Sequence, residues 1–215
     1  MANHLLAPYW AVKHRRNSDY DFYKTLQPPV VKVMDGGKPD YEWVAKNLPN
    51  AIVVMRDWGI DDNNYQVWRE SLIDPVGVGK RVAQQIVAKA KEYGLNPAKS
   101  LLMGYCNEPA VWEPGGIDAT VKGNVAFCDE LARLGWRGLV LNLSVGWPAN
   151  NDTETVKDTP PNWEPYAPVR DAILRGNHVL GLHEYWPRAG VQQGWGWLAG
   201  RALKCPWDVP IIIGE

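Results

Sequence analysis

Residues 101–109 read LLMGYCNEP, an apolar run that stops on a turn carrying Glu108. A short apolar segment closed by Gly, Asn and Pro has the pattern of a buried strand entering a tight turn. The same rhythm recurs at 4–10 (HLLAPYW), 29–37 (PVVKVMDGG), 51–59 (AIVVMRDWG), 138–148 (GLVLNLSVGWP), 178–187 (HVLGLHEYWP) and 209–215 (VPIIIGE). These seven runs are rich in Val, Ile and Leu and nearly continuous in apolarity, as strands covered on both faces are.

Helical patterns separate them. In 77–97, Val82, Ile86, Val87, Ala90 and Tyr93 recur at helical spacing, and Gly94 and Pro97 close the segment. In 118–135, Val121, Val125, Phe127, Leu131 and Leu134 form the face, with Asp118 as the expected N-cap. Residues 167–176 form a shorter segment of the same kind. Strands alternating with helices predict an α/β fold with a parallel sheet, in one domain spanning 1–215.

An open doubly wound sheet that binds a nucleotide predicts a glycine-rich turn after its first strand. The first run instead continues as AVKHRRN. A (β/α)8 TIM barrel fits better, because polar and aromatic groups gather where the runs end: Trp10, Asp35, Arg56, Asn107 and Glu108, Trp147, His183 and Tyr185, and Glu215. Only seven runs are present, so the barrel is expected to be truncated after strand 7. Strands 1 and 7 would then have unpaired edges, and strand 8 would come from a longer parent chain or a partner segment.

Composition excludes several classes. A net charge of −1 and a pI near 6.4 give no basic field for nucleic acid or an anionic membrane. No apolar stretch approaches the roughly 20 residues of a membrane span. The first ten residues carry no secretion signal, although a secreted parent protein fits as well, so no compartment is assigned. Cys106, Cys128 and Cys205 are too widely spaced for a zinc site or a disulfide framework. His183 and Glu184 adjoin on a strand and face opposite ways, so no metal and no cofactor are expected. Twelve tryptophans against two phenylalanines suit a wet, ring-shaped ligand as well as a core.

GYCNEP at the fourth run, LHEYW at the sixth and IIIGE at the seventh resemble the clan of retaining (β/α)8 glycoside hydrolases that includes cellulases, mannanases and β-galactosidases. The resemblance implies retaining hydrolysis of β-glycosidic bonds, with Glu108 as acid/base and Glu215 as nucleophile. It implies that Asn107 binds the hydroxyl beside the reacting carbon, and that His183 and Tyr185 donate to the nucleophile. Arg56 is the candidate arginine near it. The implied partner is a carbohydrate, stacked on Trp10, Trp112, Trp147 and Trp186, with Asp35 as a further ligand. Retention requires the two carboxyl groups about 5–5.5 Å apart. The alternative is a non-catalytic carbohydrate-binding barrel or an inactive fragment of a glycosidase.

Overall fold

A computed structural model describes residues 4–6, 9–11, 17–61, 65–143, 162–183 and 205–213. The strands are β1 (His4–Leu6), β2 (Tyr9–Ala11), β3 (Val30–Met34), β4 (Ile52–Arg56), β5 (Ser100–Met103), β6 (Leu139–Leu143), β7 (Val179–Leu182) and β8 (Ile211–Ile213). Each falls on one of the seven expected runs to within one residue at its ends, the first run supplying both β1 and β2. Every ladder among the described residues is parallel.

Two four-stranded sheets result, in the orders β1-β8-β7-β6 and β2-β3-β4-β5. They adjoin at an isolated parallel bridge between Leu102 and Gly138. The first run also contributes a strand to each sheet, β1 to one and β2 to the other. The first run therefore pairs with β8 on one side (His4 with Ile211) and β3 on the other (Tyr9 with Lys32). This corrects the expectation of unpaired edges on the first and last strands: those two strands pair with each other.

Helices cover the strands: α1 (Asn17–Leu26), α2 (Lys38–Asn47), α3 (Trp58–Asp61), α4 (Gln66–Ser71), α5 (Pro75–Glu92), α6 (Gly116–Arg133) and α7 (Ala167–Gly176). In α5 the Asp74 carboxylate accepts from the Gly77 N–H at 2.9 Å and Pro75 occupies the first turn, both favourable at a helix start. Its face Val82, Ile86, Val87 and Ala90 is buried as the spacing predicts. The cap of α6 differs from expectation. Gly115, at φ 79°, takes that position, and Asp118 lies inside the first turn, paired with Lys122.

Strand alternation sorts the core into two layers. Val31, Val33, Met55, Leu102, Leu180, Ile211 and Ile213 pack with the helices. Val30, Val54, Leu101, Met103, Leu139, Val179 and Ile212 form a second cluster built from strands. Burial of each such aliphatic side chain contributes about 1.5–3 kcal/mol. Lys32 shares the face of Val30 and is 0% exposed. Four tryptophans pack in the core: Trp68, Trp136 and Trp207 are buried, and Trp43 is partly buried against it. No helix of the described residues is long and apolar enough to cross a membrane.

Candidate functional site

The site is built where the strands end. After β5 the chain turns at Gly104 and Tyr105. The Tyr105 hydroxyl donates to the Ala119 carbonyl at 3.0 Å, which ties the turn to α6. The ring needs the space that Gly123 leaves, since a Cβ there would sit 1.8 Å from it. Cys106 and Glu108 follow in left-handed backbone, at φ 47° and 50°. Such conformations are unfavourable for these residue types and persist where surrounding contacts hold them.

For Glu108 such a contact comes from β6. The ladder with β7 pairs Leu141 with Gly181 and Leu143 with Leu182, so Asn142 is an extra residue, a β-bulge. Leu141 and Asn142 are themselves left-handed, at φ 72° and 41°. The Asn142 carbonyl accepts from Glu108 N–H at 3.2 Å, and the Leu143 carbonyl accepts from His183 N–H at 3.1 Å. The two side chains then meet, with His183 Nδ1 2.8 Å from Glu108 Oε1. When Glu108 is ionised it can only accept, so Nδ1 carries the proton and donates. The His183 side chain is 1% exposed and that of Glu108 25%. The histidine is thus the buried support, and the carboxyl is the group that solvent and ligands reach.

Next to Glu108, the Asn107 Oδ1 is buried with no hydrogen-bond partner among the described residues, and so is the Asn142 Oδ1. Asn142 Nδ2 donates to the Leu139 carbonyl at 3.0 Å, and its Oδ1 lies where a Gly181 Cβ would be, 2.2 Å from that position.

Other expected site residues have structural partners. Arg56 Nε donates to Asp61 Oδ2 at 2.7 Å in a pair only 6% and 1% exposed, and its Nη1 lies 3.2 Å from the Met34 Sδ. Asp57 pairs with Lys89. Asp35, at φ 52°, accepts the Trp58 backbone N–H at 2.8 Å and so caps α3. Trp112 is half exposed and lines a groove of about 1050 Å³ between α5, α6 and the start of α7, together with Val76, Ile117, Val121, Val125 and Pro168. Trp10 lies in β2 in register with Val33; its side chain is outside the described residues. Trp147, Tyr185, Trp186 and Glu215 also lie outside the described residues. Among the described residues no group of three or more His, Cys, Asp or Glu is placed to hold a metal ion.

The β6 bulge was not anticipated. Its signal was Asn142, a lone polar residue in the run LVLNL that tolerates left-handed backbone better than its neighbours. Lys32 has a similar signal, a single charge inside VVKVM.

No family model and no curated protein matches the chain. A solved structure that it matches is an HpcH/HpaI aldolase from Desulfitobacterium hafniense DCB-2. The identity is 15% and the TM-score 0.44, with 98% of this chain and 86% of that chain covered. That protein is an aldolase, not a glycoside hydrolase, and the likeness is too slight to assign this chain a reaction. The glycosidase expectation is corrected on this finding: membership of the retaining clan, hydrolysis of β-glycosidic bonds and the carbohydrate-binding alternative are all withdrawn. Glu215, the second carboxyl that retaining hydrolysis would need, lies outside the described residues.

Proposed function

We propose that the strands form one closed barrel, and that the ends of β5, β6 and β7 make an active site in which Glu108 exchanges a proton with a small polar substrate. The ring order β2-β3-β4-β5, then β6-β7-β8-β1, supports the barrel, since the first run joins both sheets. In such a fold the C-terminal strand ends are where reactive groups converge.

The observation that carries the reading is the Glu108–His183 contact at 2.8 Å, made by residues 75 positions apart. A carboxyl used as general acid or base must be oriented and within reach of the substrate. Here His183 orients it from below and its remaining exposure leaves it accessible. Strained backbone supports the assignment: Asp35, Cys106, Glu108, Leu141 and Asn142 are all left-handed, and all lie near the C-terminal ends of β3, β5 and β6.

The test is solvent-deuterium incorporation into a panel of small keto, hydroxy and amino acids, followed by NMR. The wild-type chain is expected to label at least one of them, and Glu108→Gln to do so about 100-fold more slowly or worse. No labelling of any compound, or equal rates in the two proteins, overturns the reading.

A further inference from the structure

We infer that the bulge in β6 is the device that sets the Glu108–His183 contact, with Asn142 as a positioning residue. This rests on the acid–base reading of that contact. A regular β6 would present one residue to each residue of β7. The extra residue makes two adjacent peptide carbonyls serve two different partners: Asn142 holds Glu108 N–H and Leu143 holds His183 N–H. Both members of the pair are therefore fixed by the same two residues of a strand that contributes neither reactive side chain.

The bulge is itself held from two sides. From α6, Asn124, which is fully buried, accepts the Leu141 N–H at 3.0 Å and donates to Thr120 at 2.9 Å. From β7, the missing Cβ of Gly181 leaves the space occupied by the Asn142 amide. Asn142 suits the position twice over: it accepts left-handed backbone more readily than most residues, and its Nδ2 closes back onto Leu139.

The test is the NMR signature of the histidine rings in the whole chain. The Nδ1–H tautomer of His183 reports the contact. His178, whose Nδ1 accepts from Gly138 N–H at 2.9 Å, reports the fold. Asn142→Gly keeps the left-handed backbone and is expected to preserve the His183 signature. Asn142→Val resists that backbone and is expected to lose it while His178 is unchanged. Asn142→Val with an intact His183 signature overturns the inference and leaves the acid–base reading standing. A positioning role confirmed in this way, with no deuterium labelling of any substrate, overturns the acid–base reading instead. If Asn142→Val fails to fold, as seen at His178, Asn124→Ala replaces it. That variant frees the bulge from α6 and is expected to lose the His183 signature; an unchanged signature again overturns the inference.

Discussion

Acidification should destabilise this fold through one histidine far from the candidate site. His178 is fully buried between α6, β6 and β7. Its Nδ1 accepts from the Gly138 N–H at 2.9 Å, and its Nε2 is 3.0 Å from the Cys128 carbonyl. Both roles require the neutral ring, with the proton on Nε2. Burial is the largest influence and lowers its pKa from 6.5 to about 4; the Cys128 carbonyl and Asp129 oppose the shift, and Arg137 and Arg175 reinforce it. Above pH 6.5 neither the folded nor the unfolded chain protonates this ring. Between 6.5 and about 4 the unfolded chain takes up a proton that the folded chain refuses, so stability falls as pH falls. Below about 4 both forms are protonated and the loss is complete.

A tenfold difference in proton affinity is worth about 1.4 kcal/mol, so the full loss is about 3 kcal/mol, and about 2 kcal/mol is gone by pH 5. Urea unfolding at pH 7.5 and pH 5, on the wild type and His178→Gln, isolates this contribution, because the carboxylates and the other histidines cancel in the difference. The wild type should lose about 2 kcal/mol more than the variant between the two pH values. Equal losses, within about 0.5 kcal/mol, would refute the reasoning.

Three other perturbations follow from packing and charge. Gly123→Ala should destabilise by at least about 2 kcal/mol in thermal or urea unfolding, because the new methyl overlaps the Tyr105 ring and the turn before Glu108 must move. Asp61→Ala leaves the buried Arg56 guanidinium without this carboxylate and should cost about 3–5 kcal/mol, read from the urea midpoint. Asp74→Ala removes the N-cap of α5 and should cost about 1 kcal/mol by the same assay.

Much of the architecture was legible in the sequence. Strands covered on both faces must be apolar throughout, so β3 to β8 stand out as runs, and the long faces of α5 and α6 follow from helical spacing. The first run reads as one strand, yet it forms two short ones, each paired in parallel in a different sheet. That division depends on which strands lie on either side, and no local pattern records it. At the site, Glu108 and His183 could be picked out singly as polar residues at strand ends. Arg56 and Asp35 looked alike in that respect, and only the fold shows that they pair with Asp61 and cap α3.

The sequence by itself determined where the buried strands and the main helices lie, because hydrophobic burial imposes a period that survives without knowledge of neighbours. The tertiary structure alone decided which polar residues meet. The contact between residues 108 and 183 depends on a bulge at residue 142, on the glycine at 181 that makes room for it, and on an asparagine of α6 that holds it. Those residues are scattered along the chain, and hydrogen bonding across strands, not local propensity, fixes the backbone that joins them.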